Sequence, residues 1–344
     1  MMKKTKRILL FAVAVGVLMT MGCSTGRSEQ KIDKQPISQK DSIILAEKEK
    51  PKLSQPFRVV AYLPTSAEMP TAEALQMVTD IVLIGGIAWD ENGSVVIADK
   101  GYETLIGEIK AVSNVRVWST VFPKGSMIRN GTVGESIATV AQREKLAQSL
   151  CEHTAKYGLY GIDIDWEFPK DESEWNSFSQ LIEVLSLKLQ SNEKKLSLAL
   201  YPKDISLSKS AIKAVDYVNI MAYDMFDKDG YHSTYQTAVN SVDYFTELGF
   251  DTKCIIMGIP LYGRPTDASN RWDLYNTIPT ITDPEQNIYN GSYYNGLTLI
   301  KQKTEFAQKK NCAGVMLYHL GCDTAVNEKT SVLKAIYEIT QQAK

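Results

Sequence analysis

From residue 57 onward, short apolar runs alternate with amphipathic stretches, and this alternation repeats eight times along the chain. Most of the runs are continuously apolar, which is typical of parallel strands that are covered on both faces. The predicted strands are residues 58–63, 81–87, 115–121, 161–166, 196–201, 217–222, 254–259 and 314–318.

The stretches between these strands carry the spacing of amphipathic helices. Apolar side chains from Trp175 to Leu189 form one stripe, and Asp171 with Glu174 predicts a capping box at the start of that helix. Gly158 and Gly249 are placed to end two others. The predicted helices are residues 71–79, 102–112, 143–157, 174–190, 209–214, 235–248, 297–309 and 328–340.

Eight strand–helix units between residues 57 and 344 predict one domain of the α/β class, a (β/α)8 TIM barrel. The alternative is a doubly wound open sheet, which usually carries a glycine-rich phosphate-binding turn after its first strand. The first strand here runs into YLPT at residues 62–65, which is no such turn. The barrel is therefore the preferred prediction.

Three acids occupy alternate positions at the end of one predicted strand: Asp163, Asp165 and Glu167. Side chains two residues apart on a strand point the same way, separated by about 6.6 Å along it. The three carboxylates are therefore expected to face the barrel interior, while the apolar residues between them face the helices. Glu167 comes last, at the carboxyl-terminal mouth where barrel enzymes hold their chemistry.

Asp163, Asp165 and Glu167 together are called the acid file, and charge repulsion between them makes such an arrangement unusual. Arg116 is the one cation on the two neighbouring predicted strands, and its position near a strand start puts it too deep to pair with all three. A salt-bridge ladder is thus the less favoured interpretation. Holding one or more of the acids protonated relieves the repulsion and raises the apparent pKa of the group. A protonated Glu167 has the form that a general acid requires.

The segment GIDIDWEFP (residues 161–169) resembles the DGxDxDWE signature of glycoside hydrolase family 18, the chitinases and endo-β-N-acetylglucosaminidases. Three later segments resemble the family's MxYD, GIPxYGR and GxMxW strands in the same order. They are VNIMAYD at 218–224, MGIPLYGR at 257–264 and GVMLY at 314–318. The resemblance covers about residues 57–342.

The resemblance implies retaining, substrate-assisted hydrolysis without a metal or another cofactor. Glu167 would protonate the glycosidic oxygen, and the sugar's own 2-acetamido carbonyl would attack C1. Asp165 would hold the acetamido N–H, and Asp163 would share a proton and charge with Asp165. Tyr223 would donate to the acetamido oxygen, and Asp224 would contact the same sugar.

Candidate sugar-binding residues follow from the same motifs and from aromatic residues near strand ends. Single aromatic residues most often serve in packing, and Trp272, in a polar loop, is the best candidate for stacking. Arg264 is expected either to reach a sugar hydroxyl or to form a salt bridge in its loop. The candidates are Asp224, Met221, Tyr318, Tyr62, Tyr262, Arg264 and Trp272, with Trp89 and Trp118 as weaker ones.

The sequence departs from the family pattern at several positions. Tyr160 replaces the first Asp of the signature, WSTVF at 118–122 lacks the glycines of the usual SxGG, and Tyr318 replaces a Trp. The segment 264–313 is too short for the large extra α+β domain that many chitinases insert there. We therefore expect no large insertion domain and a shallow, open cleft that suits endo cleavage or a branched glycan.

Three functions compete at this stage. The first is a glycosidase that cleaves β-1,4 bonds beside N-acetylglucosamine, either in chitin oligosaccharides or in the chitobiose core of N-glycans. The second is a lectin-like binder of the same sugars, which the retained Glu167, Asp165 and Tyr223 disfavour. The third is a barrel enzyme for phosphorylated substrates, which lacks the expected glycine-rich anion site.

The N-terminal region predicts export. Four basic residues within residues 1–7 precede an apolar run at 8–21, and Gly22-Cys23 follows. This arrangement resembles the lipobox of bacterial lipoproteins and implies a signal peptide at 1–22 and lipidation of Cys23. Residues 23–56 read as a polar tether, so the chain is expected to be a membrane-anchored lipoprotein of the cell envelope or surface. A plain secretory signal is the alternative.

The composition excludes few other classes of function. A net charge of −2 over 344 residues gives no reason to expect nucleic acid, and we expect a monomer. His153, His232 and His319 are scattered, and no metal-ligand spacing occurs. Cys151, Cys254, Cys312 and Cys322 are either free thiols or include one disulfide, and the sequence does not choose between these.

Overall fold

The computed structural model describes residues 56–342. The predicted signal peptide (1–22), the lipidation site at Cys23 and all but the last residue of the predicted tether (23–56) lie outside the described residues. Among the described helices, none combines the length and the apolar character needed to cross a membrane.

Within the described range the chain forms thirteen strands. In chain order they are β1 (Arg58–Pro64), β2 (Asp80–Trp89), β3 (Val95–Ile97), β4 (Arg116–Pro123), β5 (Gly161–Ile164), β6 (Lys195–Leu200), β7 (Tyr217–Ile220), β8 (Ile255–Pro260), β9 (Tyr262–Pro265), β10 (Asp273–Leu274), β11 (Ile288–Tyr289), β12 (Ser292–Tyr293) and β13 (Gly314–Tyr318).

Eight of these strands close into a parallel barrel. The ring runs β1-β2-β4-β5-β6-β7-β8-β13 and returns to β1. Closure is direct, because Ala61 in β1 lies opposite Ile81 of β2 on one side and Leu317 of β13 on the other. The (β/α)8 prediction is confirmed and the open-sheet alternative is excluded, since an open sheet would leave β1 or another strand as an edge.

Nine α-helices lie in residues 56–342: α1 (Ala72–Met77), α2 (Tyr102–Val112), α3 (Gly125–Asn130), α4 (Val140–Lys156), α5 (Glu172–Gln190), α6 (Lys209–Ala214), α7 (Tyr235–Leu248), α8 (Leu297–Lys309) and α9 (Val332–Gln342). Short 3-10 turns lie at Gly134–Ile137, Thr252–Cys254, Tyr275–Thr277, Pro279–Thr282 and Leu320–Cys322.

Side-chain caps set the helix starts where the predicted bounds differ. Helix α9 begins at Val332, four residues later than predicted, because the Asp323 carboxylate accepts hydrogen bonds from the backbone N–H groups of Val332 and Leu333. Only half of the predicted capping box forms at α5. Asp171 accepts from the Glu174 N–H, but the Glu174 carboxylate accepts from the Lys170 N–H instead of from Asp171.

The segment after β8 contains no large domain but does form a small sheet. Strands β9 to β12 pair antiparallel in the order β10-β9-β12-β11. Their shortness explains why the apolar pattern did not predict them, since two-residue strands carry no detectable alternation. Strand β8 of the barrel ends at Pro260, and Leu261 follows it. The small sheet begins at the next residue, Tyr262, so it lies at the mouth of the barrel.

The base of the barrel is closed by a buried ion pair. The Asp80 carboxylate accepts hydrogen bonds from Arg58 (2.7 Å), from Arg116 (2.7 and 2.9 Å) and from the Trp118 indole (2.9 Å). Arg116 is thus occupied far from the acid file, as expected. Trp118 is a core residue here, and Trp89, which is 1% exposed, packs between barrel and helices, so neither offers a sugar-stacking surface.

The four cysteines in the described residues, Cys151, Cys254, Cys312 and Cys322, are all free. The alternative left open by the sequence is therefore decided in favour of free thiols.

Candidate active site

The innermost acid, Asp163, is fully buried and held by four strands of the barrel. Its Oδ2 accepts from the Tyr62 hydroxyl (2.7 Å) and the Thr120 hydroxyl (2.9 Å). Its Oδ1 accepts from the Ser197 hydroxyl (2.6 Å) and the Asn219 amide (3.0 Å). Burial raises the pKa of Asp163, and these four donors oppose the rise.

Each of the two Asp163 oxygens already accepts two hydrogen bonds from residues other than Asp165. Asp165 responds to Asp163 through charge repulsion, which contributes to raising the pKa of Asp165. The structure thus gives Asp163 the part of a fixed internal charge. Its proposed share in a proton remains a prediction.

Asp165 and Glu167 lie just beyond the end of β5 at Ile164, at the mouth of the barrel. Ile162, Ile164 and Trp166 pack in the core between strands and helices, as the alternation predicts. Asp165 is 5% exposed, whereas Glu167 is partly exposed. The acid file therefore runs from the barrel interior out to the cleft.

The pKa values of Asp165 and Glu167 are both raised. Burial, the charge of Glu167 and a hydrogen bond with Glu167 raise the pKa of Asp165 well above its ordinary range. Burial and the charge of Asp224 raise the pKa of Glu167, and its hydrogen bond with Asp165 opposes that rise. Both acids are therefore biased toward the protonated form, and the bias is stronger at the more deeply buried Asp165, while a protonated Glu167 stays a prediction from the sequence.

The reason for this difference is the uneven supply of donors. Asp163 receives four hydrogen bonds, but Asp165 Oδ1 is buried and receives none from the described residues. A buried carboxylate without donors is costly in its charged form. The lack of donors therefore favours the neutral form of Asp165.

Tyr223 forms one wall of the cleft, directly after β7. Its ring is 5% exposed and packs against Tyr262 and Tyr318, with centroid distances of 6.1 and 5.8 Å. Its hydroxyl has no hydrogen-bond partner among the described residues, so it is free to donate to a ligand. Burial raises the pKa of Tyr223, with the charges of Asp165 and Asp224 adding to the rise, so the hydroxyl keeps its proton.

Asp224 is held as an anion beside Glu167. Its Oδ2 accepts from the Tyr262 hydroxyl (2.8 Å), and its Oδ1 accepts from Arg264 (2.8 Å) and lies 3.3 Å from His232 Nδ1. Burial acts to raise the pKa of Asp224, but these partners outweigh it and lower the pKa. Its side chain is 26% exposed, so part of the carboxylate remains open to the cleft.

Two aromatic residues expected to bind sugar are instead supports. Tyr62 and Tyr262 are 2% and 1% exposed, and their hydroxyls are committed to Asp163 and Asp224. Neither ring presents enough surface for stacking. Arg264 is 9% exposed and paired with Asp224, which fits the salt-bridge alternative.

Three other candidates line the cleft. Tyr318 is partly exposed and lies 6.0 Å from Tyr62 and 5.8 Å from Tyr223, measured between ring centroids. Trp272 is partly exposed, packs on Tyr262 at 4.0 Å between ring centroids and has the Arg264 guanidinium 5.1 Å from its own centroid, so the part of the ring that these two residues leave uncovered is open to a ligand. Met221 is 8% exposed in the same interior cluster and contributes mainly packing.

Several site residues were missed from the sequence. Thr120, Ser197 and Asn219 hold Asp163, and each interrupts an otherwise apolar strand, which was a usable signal. The Tyr201 hydroxyl donates to the Asp224 carbonyl oxygen (3.1 Å). His232, interpreted as an ordinary structural residue, is buried against Asp224, and no local pattern announced that contact.

Comparisons with known proteins agree with this geometry. The family model of the glycosyl hydrolases family 18 matches residues 58–323. Chitinase 1 of Aphanocladium album is 27% identical over 207 residues, which cover 52% of this chain and 44% of that protein. Chitinase A1 of Niallia circulans is 23% identical over 231 residues, covering 54% of this chain and 33% of that protein. The chain thus spans less than half the length of these curated relatives.

Solved structures share the fold. The chitinase ChiB from the chitin utilization locus of Flavobacterium johnsoniae superposes with a TM-score of 0.71 at 21% identity, covering 84% of this chain and 95% of that one. A chitinase from Bacteroides thetaiotaomicron gives a TM-score of 0.71 at 21% identity, covering 83% and 97%. These similarities show the architecture that carries the acid file.

Proposed function

Since this chain belongs to glycosyl hydrolase family 18, we propose that it is a chitinase-like glycosidase. It cleaves β-1,4 bonds beside N-acetylglucosamine by a retaining, substrate-assisted reaction. The observation that carries this proposal is the convergence of Asp165, Glu167, Tyr223 and Asp224 at the barrel mouth, where the pKa values of the first two are raised. Chitin oligosaccharides are the substrate that the names of the relatives favour.

The reaction begins when the acetamido group of the sugar meets Asp165. Its N–H donates to the Asp165 carboxylate and supplies the donor that this buried group lacks in the free protein. The charged form of Asp165 is thereby stabilised, and the shared proton passes to Glu167. Substrate binding itself therefore protonates Glu167, the general acid.

Bond cleavage then needs no nucleophile from the protein. Glu167 gives its proton to the glycosidic oxygen, the bond from C1 to that oxygen breaks, and the acetamido carbonyl oxygen attacks C1. The Tyr223 hydroxyl donates to that carbonyl oxygen and orients it. The product of this step is a cyclic oxazolinium ion, whose positive charge the Asp165 carboxylate stabilises.

Hydrolysis of the intermediate restores the protein. Glu167, now ionised, takes a proton from a water molecule, and the resulting oxygen attacks C1 from the face that the leaving group vacated. The ring opens to the free acetamido group, and configuration at C1 is retained because two inversions have occurred. Asp224 stays anionic throughout and keeps the pKa of Glu167 raised for the next cycle.

Measuring new reducing ends from chitin oligosaccharides and from an N-glycopeptide tests the proposal. The Glu167→Gln variant is expected to lose about 10²- to 10⁴-fold in turnover while still binding the sugar. Glu172→Gln, an exposed change of the same kind on α5, is the matched control and should retain activity. Binding without turnover in the wild type would instead favour a lectin, and unchanged turnover of Glu167→Gln would remove that residue from its role.

The product profile distinguishes substrate and mode. The small sheet β9–β12 supplies little wall compared with a full insertion domain, so the cleft is open and suits internal cleavage. Release of mixed chain lengths from a chitin hexamer supports the endo mode, and release of disaccharide alone contradicts it. Cleavage of the N-glycopeptide in preference to chitin would assign the chitobiose core.

The location of the protein is also a proposal. Residues 1–23 support export and lipidation at Cys23, so the barrel acts as a monomer tethered outside the cytoplasmic membrane. Labelling with a radioactive or clickable fatty acid should mark the wild type in a bacterial host and leave Cys23→Ser unlabelled. Release of an unlabelled wild-type chain into the medium would support the plain secretory signal instead.

A further inference from the structure

A buried lysine on the outer helix α8 is not accounted for by the proposed reaction. Lys303 is fully buried, and its ammonium group donates to three acceptors: the Ser233 carbonyl oxygen (2.8 Å), the Ser233 hydroxyl (2.9 Å) and Asn295 Oδ1 (2.6 Å). None of the three is a carboxylate. Burying an ammonium group without a counter-ion is costly, and burial lowers the pKa of Lys303 to about 7.

Two of the three acceptors belong to Ser233, and the third, Asn295, is itself hydrogen-bonded to Ser233. Asn295, itself 1% exposed, also donates to the Ser233 carbonyl oxygen (2.9 Å). This carbonyl oxygen therefore accepts two hydrogen bonds, one from Asn295 and one from Lys303. The Ser233 hydroxyl in turn donates to the Ala222 carbonyl oxygen (3.0 Å). Lys303 thereby reaches, through one serine, the backbone that immediately precedes Tyr223.

The residue before Ser233 completes the connection. His232 is fully buried, its carbonyl accepts from the Met225 N–H (3.1 Å), and its ring lies against Tyr262 at 5.4 Å. Its Nδ1 is 3.3 Å from Asp224 Oδ1, while its Nε2 has no partner among the described residues. The position of the His232 ring is therefore set by the turn, because its Nε2 forms no hydrogen bond with the described residues.

We propose that Lys303 is a positioning residue which, through Ser233 and His232, sets Asp224 and Tyr223 for the sugar. The inference rests on the proposed glycosidase function. Asp224 has φ +58°, a left-handed conformation that is uncommon for a non-glycine residue and that surrounding contacts help to hold. The two-donor clamp on Ser233 supplies part of that constraint.

A double-mutant cycle between Lys303 and Asp224 tests the connection. Lys303→Met keeps the unbranched side chain as far as Cε and removes the donors, and it should lower kcat/KM about tenfold in the wild type. In the Asp224→Asn background the same change should lower kcat/KM by less than about twofold, because the group it positions is already altered. Equal losses in both backgrounds would mean that Lys303 acts elsewhere and would overturn the proposal.

Thr304→Val is the matched control. It removes a buried hydroxyl from the same helix, and that hydroxyl donates only within α8, to the Ile300 carbonyl oxygen (2.9 Å). It should leave kcat/KM unchanged in the wild-type background and in the Asp224→Asn background. If Lys303→Met does not fold, Ser233→Ala carries the test: it removes the link to Ala222, and its loss should likewise depend on Asp224. A Ser233→Ala loss that is the same in the Asp224→Asn background overturns the proposal.

A readout independent of activity separates this inference from the proposed function. The chain has three histidines, so their ring signals can be followed by NMR. Lys303→Met should shift the His232 signals and leave those of His153 and His319 in place. An unmoved His232 overturns the positioning role. A wild-type chain that neither binds nor cleaves chitin oligosaccharides overturns the proposed function while the His232 shift still reports on Lys303.

Discussion

The Tyr62 hydroxyl donates a 2.7 Å hydrogen bond to Asp163, although the two residues are 101 positions apart in the chain. Tyr62 lies on β1 and Asp163 on β5, so the bond crosses the interior of the barrel. Donors on β4, β6 and β7 complete the set. The four donors to Asp163 come together only when the barrel closes, so barrel closure is what holds this innermost carboxylate in place.

Tyr62→Phe should weaken both stability and catalysis. It removes one of four donors to a buried carboxylate, so we expect the free energy of unfolding to fall by about 1–3 kcal/mol. The activity should fall as well, because the charge next to Asp165 is then less well held. Urea unfolding and initial rates on a chitin oligosaccharide measure the two effects.

The control for this substitution is Tyr294→Phe. Tyr294 is equally buried, and its hydroxyl pairs with Thr280 away from the acid file (3.0 Å). It should lose stability without a matching loss of activity. Equal activity losses in the two variants would show that Tyr62 contributes only packing.

The rate should fall as pH rises through a pKa that lies above the ordinary 4.5 of Glu. The proton shared by Asp165 and Glu167 is required for the first step, and burial followed by the charge of Asp224 raises the pKa of Glu167. Asp224→Asn removes that negative charge, so it should move the alkaline limb of the kcat/KM profile to lower pH, in addition to lowering the rate.

Asp243→Asn, a change at a partly exposed residue of α7 that pairs with Lys310, should leave the position of the limb unchanged. An alkaline limb that stays in place or moves to higher pH in Asp224→Asn would contradict the assigned electrostatics.

The stability of the protein should depend on pH through Lys303. Burial lowers its pKa from 10.5 to about 7 in the folded state, so the unfolded chain binds more protons between these values. The free energy of unfolding therefore gains from Lys303 as pH rises through this window. Lys303→Met lacks the gain, so its deficit relative to wild type should grow by about 2 kcal/mol between pH 7 and pH 9.

Urea unfolding at the two pH values measures the difference. The Thr304→Val variant should show a deficit that does not change with pH. A constant deficit for Lys303→Met would mean that Lys303 keeps an ordinary pKa in the folded protein.

Trp272→Ala should weaken sugar binding more than turnover. The partly exposed indole packs on Tyr262 and presents its open face to the cleft, whereas it contacts none of the reacting atoms. Loss of one stacking contact should lower affinity about three- to tenfold. Calorimetric titration with a chitin oligosaccharide gives the affinity, and kcat should remain near the wild-type value.

Trp272→Phe keeps an aromatic face and should recover most of the binding. Full affinity in Trp272→Ala would exclude stacking at this position.

Much of the fold could be predicted from the sequence because its cause is local. The eight apolar runs mark the barrel strands, and the bounds of α2, α6, α7 and α8 match the predicted ones. The pattern of apolar residues predicts burial directly, because a continuously apolar strand has to be covered on both faces. The strands β9–β12 escaped because two-residue strands carry no periodicity.

The site was only partly predictable. The spacing of Asp163, Asp165 and Glu167 predicted three acids on one side of a strand, and in the structure Asp163 lies on β5 while the other two lie just beyond its end. Tyr62 and Tyr262 are buried as supports, which is the packing role expected of single aromatic residues, because an aromatic side chain near a strand end can face a ligand or hold a carboxylate. Only the partner of its hydroxyl distinguishes these cases.

The sequence by itself determined the barrel, the order of its motifs and the presence of an acid file, because all three follow from residue spacing within single strands and helices. The tertiary structure alone decided how hydrogen-bond donors are distributed along the acid file. Asp163 receives donors that are 34 to 101 residues away in the chain, while Asp165 Oδ1 receives none from the described residues. That imbalance favours a neutral Asp165, and no local pattern encodes a contact that exists only after the barrel has closed.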